Sequence, residues 1–237
     1  MRIKAVLFDF FGTLVEYKTK VPIDHDVLNT ALQRKTNEQE YTEICKKWEA
    51  AFEARVGEAK HTLLEFSMAE FAESFFSSTV DPTGRDYFVQ QYMNSWRRHV
   101  FFDPHVLKVL PDLKHSFSLG IISNTHYSGM VEDILAEAGL SVLFSLVVTS
   151  VNTGIRKPSP VIFQHSANML GLQPEECLFV GDHVEEDFYG SLSSGMLPLL
   201  IQKEPFNKNT VPAEQRLTTF LDLEDKILEV QRDVKAI

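Results

Sequence analysis

Ile3, Ala5, Val6, Leu7 and Phe8 form a nearly continuous apolar run that stops at a carboxylate, Asp9. A strand apolar at successive positions has both faces buried, which is the condition of strands in parallel sheets covered by helices on each side. This stretch therefore selects an α/β architecture. An acid ending a central strand lies outside the carboxyl ends of the strands, where open α/β sheets bind ligands. After Asp9 the chain reads Phe10, Phe11, Gly12, Thr13. Gly12 permits a sharp turn or a close backbone approach, and the Thr13 hydroxyl can bond across that turn.

Past Val15 the period changes. From about Asp24 to Arg98 the apolar residues recur at helical spacing: Val27, Leu28, Ala31; Ile44, Trp48, Phe52; Leu63, Phe71, Phe75; Phe88, Tyr92, Trp96. This pattern predicts about four helices whose aromatic stripes form their own core, with Asp81-Pro82-Thr83-Gly84 as a turn before the last. Strand and helix alternate again from about residue 100. Asp103-Pro104 opens a helix. Strands are expected over Phe117–Ile122, Leu143–Val148, Leu178–Val180 and Leu197–Ile201, with a further edge strand over Leu217–Phe220. Helices are expected over Ser128–Ala138, Ser159–Leu170, residues 185 to 194 and Leu223–Val230, and a surface loop over Lys203–Glu214. Such alternation implies a parallel sheet with right-handed crossovers.

The chain has 237 residues, 44% of them hydrophobic and 24% charged, enough apolar material for a sizeable core. With 33 acidic against 23 basic residues, a net charge of −10 and no basic stripe, nucleic acid is a poor fit as a partner. Cys45 and Cys177 match no metal or redox spacing and read as reduced thiols. Arg2 and Lys4 before an apolar stretch superficially suggest a leader, but Asp9 interrupts it, and no run approaches the roughly 20 residues that cross a bilayer. A soluble cytoplasmic protein without a membrane partner is expected; the sequence is silent on oligomeric state.

Four expected strand ends carry polar groups: Asp9, Ser123, Lys157 just after the third strand, and Asp182 with Asp187. Parallel neighbours would bring all four to one crevice. The ordered stretches FDFFGTL, IISNT, Lys157-Pro158 and FVGDHVEED resemble the four motifs of the haloacid dehalogenase-like hydrolase superfamily. The resemblance implies a doubly wound, Rossmann-like α/β core of residues 1–15 and 101–237 and a helical cap of residues 16–100.

It also implies a chemistry. Members of the family attack a phosphoryl group with the carboxylate at the position of Asp9, and water then hydrolyses the aspartyl-phosphate. A carboxylate facing phosphate needs positive charge, here expected from Lys157 and Mg²⁺. The side chains of Asp9 and Asp182 and the backbone oxygen of Phe11 match the family's ligand positions, with Asp187 as a ligand or as the group that orients one. Ser123 would grip phosphate oxygens, and Thr13 and Asn124 would touch the substrate, a small phosphorylated metabolite.

One departure stands out. Phosphatases of this superfamily usually carry a second Asp where this chain has Phe11. A general acid or base is worth about 10² to 10⁴ in rate, so alkyl phosphates should be poor substrates and aryl or acyl phosphates less affected. His183 or His126 could substitute for the missing acid; the plainer reading makes both exposed loop residues. The dehalogenase branch also has an aromatic at this position, but it looks metal-free and uses a cap arginine for which Arg34 is loosely placed. Gly181, Asp182, Glu185, Glu186 and Asp187 keep the acidic motif and favour a cation. A third reading is a module that binds a phospholigand or a partner without turnover.

Overall fold

The computed structural model describes residues 2–18, 20–201 and 211–233. Among these, six parallel strands make the main sheet, in the order β5-β4-β1-β6-β7-β8. They are β1 (Ala5–Phe8), β4 (Ser118–Ser123), β5 (Phe144–Thr149), β6 (Cys177–Gly181), β7 (Leu197–Ile201) and β8 (Arg216–Leu217). As the sequence predicts, the sheet is doubly wound. β1 lies at its centre, with β4 on one side and β6 on the other, so the strand order reverses there.

Strand alternation explains why β1 is apolar throughout. Val6 and Phe8, with Leu119, Ile121, Leu178 and Val180, face α5 (Pro104–Ser116), α6 (Met130–Glu137) and α10 (Leu223–Asp233). Ala5 and Leu7, with Ile122, Leu146, Val148 and Phe179, face α8 (Pro160–Met169). All four residues of β1 are 0% exposed. Burial of this kind stabilises by roughly 25 cal/mol per Å² of apolar surface and holds the strand ends in a fixed register.

The inserted helices are α1 (His25–Leu32), α2 (Glu38–Thr62), α3 (Met68–Phe76) and α4 (Pro82–Arg97). They close around Trp48, whose ring lies 4.6 to 5.8 Å from those of Phe71, Phe75, Phe76, Phe88 and Tyr92. Each of α2, α3 and α4 starts on a side-chain cap, from Asn37, Ser67 and Asp81. The stretch Asp81 to Gly84, expected as a turn, is this cap and the first turn of α4, because Pro at the first helical position needs no hydrogen bond.

Other expectations are corrected. A two-stranded antiparallel ribbon, β2 (Val15–Tyr17) on β3 (Val100–Phe102), ties the two ends of the inserted segment together. Strands of three residues are too short to show periodicity. The helix expected over 185 to 194 is a π-helical turn, Val184–Tyr189, followed by α9 (Gly190–Ser194). A short helix, α7 (Ser150–Thr153), follows β5, and the edge strand expected over Leu217–Phe220 is only β8. Of the loop expected over Lys203–Glu214, residues 203–210 lie outside the described residues. No described helix is long and apolar enough to cross a membrane.

Candidate active site

Asp9 follows β1, and its backbone N–H donates to the Val180 carbonyl of β6, which brings it level with Gly181 and Asp182. The turn after it is closed by Leu14 and Val15 donating to the Phe10 carbonyl and by Gly12 donating to Val15. The Phe11 carbonyl stands outside that set. Gly12 has φ +94°, and a Cβ there would lie 2.5 Å from Oδ2 of Asp182. Only glycine lets the turn pass beneath this carboxylate.

Lys157 is 1% exposed, not a surface lysine. Its ammonium donates to Oδ1 of Asp9 at 2.6 Å and to Oδ1 of Asp187 at 2.6 Å. Asp187 is doubly held, because its Oδ2 accepts from the His183 backbone N–H at 2.9 Å. The π-helical turn makes that possible by folding Asp187 against Gly181, where a Cβ would come within 2.4 Å of it. Asp182 accepts from the Thr13 hydroxyl at 3.1 Å.

Asp9, Asp182 and Asp187 each offer a carboxylate oxygen, and these oxygens lie within 4.8 Å of one another. Three carboxylates thus share one ammonium, a surplus of two negative charges when all are ionised. The pKa values register it. Burial pushes the Asp9 carboxyl up to about 8, Asp187 and Asp182 add to the rise, and Lys157 opposes it. Asp182 is raised for the same reasons, burial first and then Asp187. Burial works against the Lys157 charge, but Asp187 and Asp9 outweigh it and hold the ammonium above its ordinary value. The charge deficit, the oxygen-only donors and their spacing all fit one hard divalent cation.

Ser123, at the end of β4, is 0% exposed, and its hydroxyl has no hydrogen-bond partner among the described residues. A buried, unpaired hydroxyl at a strand end is a donor suited to a ligand oxygen. Asn124 next to it has a supporting place. It accepts from the Lys157 backbone N–H and donates to the Lys157 carbonyl and to Glu186, at 2.9, 3.1 and 2.8 Å.

His183 is exposed, as the plainer reading expects, and His126 is not. His126 is partly buried, stacks on Phe66 at 4.3 Å and bonds Glu65 at 2.8 Å. The Nδ1 of His183 accepts the Glu186 backbone N–H, capping the π-helical turn. Arg34 pairs with Glu40 at the surface, outside this constellation. The Phe11 ring packs on Tyr17 and Trp96 at 5.6 and 5.2 Å, forming a wall that joins the β1 turn, the ribbon and α4.

Sequence reasoning missed one cluster. Glu65, in the α2–α3 connector, accepts from Ser150 at 2.6 Å and lies 3.6 Å from Arg156, which is itself 3.7 Å from Glu186. Burial opposes its charge, yet His126, Ser150 and Arg156 keep its pKa below the usual value. With backbone bonds Glu65 to Gly154, Arg156 to Leu63 and Met68 to His126, this cluster fastens the inserted helices to the core beside the carboxylates. The only local signal was adjacency: Arg156 precedes Lys157, and Glu186 precedes Asp187.

The chain is similar to human N-acylneuraminate-9-phosphatase, 26% identical over 82% of this chain and 80% of that protein. It is 30% identical to a glyceraldehyde 3-phosphate phosphatase of Methanopyrus kandleri over 55% of this chain and 57% of the relative. Among solved structures, a 2-haloacid dehalogenase from Pseudomonas syringae superposes with TM-score 0.68 at 20% identity, covering 96% of this chain and 99% of that one. A HAD phosphatase from Thermococcus onnurineus does so with TM-score 0.62 at 22% identity, covering 94% and 97%. Residues 3–190 match the family model of haloacid dehalogenase-like hydrolases. That span takes in the carboxylate cluster, its lysine and all four inserted helices, and the chain is a hydrolase of the haloacid dehalogenase-like family.

Proposed function

We propose that this hydrolase is a Mg²⁺-dependent phosphatase, which passes the phosphoryl group of a small phosphorylated metabolite to Asp9 and then to water. The observation that carries the reading is the trio of converging carboxylates around one buried ammonium. Two further acids beside the nucleophile raise its pKa, and a bound cation would offset that repulsion.

Asp9, Asp182 and the Phe11 carbonyl would hold the ion, with Asp187 as a further ligand or as the group that keeps Lys157 in place. Bound there, Mg²⁺ would neutralise the nucleophile and the phosphoryl oxygens. The chain's residues do the rest. Lys157 holds Oδ1 of Asp9, so the other oxygen is left to attack phosphorus. Ser123 donates to a phosphoryl oxygen, and Thr13 keeps Asp182 turned inward. The inserted helices, docked through Glu65, exclude water while the phosphoryl group is in transit. The similar proteins named as phosphatases support this reading.

Phosphate release from acetyl phosphate, measured with Mg²⁺, with EDTA and for an Asp9→Asn variant, tests it. Turnover is expected only for the unmodified chain with Mg²⁺. The dehalogenase reading draws on Phe11, yet Arg34 is engaged with Glu40. Chloride released from 2-chloropropionate in EDTA would favour that reading and overturn ours.

A further inference from the structure

Resting on the phosphatase reading, we propose that the natural phosphoryl donor is an aryl phosphate monoester whose ring occupies the cavity between the β1 turn and the inserted helices. The cavity is ≈ 380 Å³ and is lined by Phe11, two residues after Asp9, by Asn124, next to Ser123, and by Tyr17, Phe52, Tyr92 and Trp96. That is within the range of small-ligand pockets. Phe11, Tyr17 and Trp96 pack as a three-ring cluster, with centroids 5.2 to 5.6 Å apart. Phe11 is therefore part of an aromatic surface as well as the residue standing where an acid is usual.

No lysine or arginine lines this cavity among the described residues. Its histidine, His126, is bound to Glu65. A carboxylate leaving group would find no cation there, and although Tyr17, Tyr92, Asn124 and Thr125 carry polar atoms, the lining is mainly ring and aliphatic surface, on which an aromatic ring finds edges and faces to pack. A second cavity of ≈ 490 Å³ is lined by the same Phe52, Val56 and Tyr92 together with Trp48, Ile23, Lys20 and Lys46.

Two independent features thus select one leaving group. Phenolate, with a pKa near the about 10 of tyrosine, departs without help from an acid, as an alkoxide cannot. Asp9 forms the P–O bond while the aryl P–O bond breaks with its electron pair on the phenolate, which takes a proton from solvent. Water then adds to phosphorus, the pair of the P–O(Asp9) bond returns to the carboxylate, and the water's proton goes to solvent. Phenol and phosphate are the products.

The test compares kcat/KM, with Mg²⁺, for acetyl, phenyl, 2-naphthyl and hexyl phosphate and glyceraldehyde 3-phosphate. We expect 2-naphthyl to exceed phenyl by on the order of tenfold, from the extra apolar surface buried. Hexyl and glyceraldehyde phosphates should fall about 10² or more below phenyl. Trp96→Ala and Tyr92→Leu should each lower the naphthyl-to-acetyl ratio about tenfold, with a far-ultraviolet circular dichroism spectrum matching that of the unmodified chain reporting that the variant has folded. Acetyl phosphate hydrolysed alongside an alkyl phosphate that matches 2-naphthyl, or ratios unmoved by both variants, overturns the aryl assignment and leaves the phosphatase standing. Silence with every donor, acetyl phosphate included, overturns the phosphatase reading instead.

Discussion

Raising the pH of the metal-free protein from 5 to 8 should cost it stability, and an Asp9→Asn variant should remove much of that loss. Asp9 is 6% exposed, and its carboxyl is pushed from 3.8 in the unfolded chain to about 8 in the fold. Between those two values the folded state holds a proton that the unfolded state has lost. Stability is therefore greatest below the lower value and falls as pH rises toward the upper one. Each pH unit in that window is worth up to about 1.4 kcal/mol per carboxyl. Asp182 is raised as well and adds in the same direction. Mg²⁺ should reverse the trend, because a divalent cation favours the ionised carboxylates, and its apparent affinity should climb with pH up to about 8. Urea unfolding at half-unit intervals, in EDTA and in Mg²⁺, for both proteins, gives the curves. Equal slopes for the unmodified chain and Asp9→Asn in EDTA would refute the argument that buried carboxylates in excess of their ammonium set this dependence.

Three further outcomes follow from the same geometry. Lys157→Met strands Asp9 and Asp187 in the interior and should lower stability by about 3–5 kcal/mol, a fall in Tm on the order of 10 °C; phosphate release should also be lost, and an unchanged melting curve would contradict the buried pairing. Gly12→Ala meets both a left-handed backbone and the Asp182 carboxylate at 2.5 Å, so it should cost about 1–3 kcal/mol and weaken Mg²⁺ binding measured by calorimetry. Phe11→Asp places an acid beside the leaving group. It should raise alkyl phosphate turnover by about tenfold or more while lowering thermal stability, since it takes a ring from the contacts with Tyr17 and Trp96.

Some features were legible because they are encoded locally. β1 announces itself through a run in which every side chain is buried, and Asp9, Ser123 and Asp182 stand out as polar residues where apolar runs end. Asp103-Pro104 and Ser159-Pro160 start helices because proline at a first helical position loses nothing. The ribbon of β2 and β3 was not legible, because its pairs, such as Val15 with Phe102, belong to segments far apart in the chain and three residues carry no period. Nor was the Glu65 cluster, whose partners Ser150 and Arg156 lie in core loops with no patterning of their own. The stretch from Val184 to Tyr189 has helical composition, and the wider π-helical turn that sets Asp187 against Gly181 leaves no mark in that composition.

Taken alone, the sequence determined the α/β class, the approximate elements and which side chains could carry chemistry, because hydrophobic period, helix caps and strand ends are written within a few neighbouring residues. Tertiary structure alone decided that the Lys157 ammonium bridges Asp9 and Asp187, that Thr13 turns to Asp182, and that Phe11 joins an aromatic wall with the ribbon and the inserted helices. Those outcomes depend on distances between distant segments. The balance of charge in the site and the shape of the space beside it exist only once the sheet and the helices have packed.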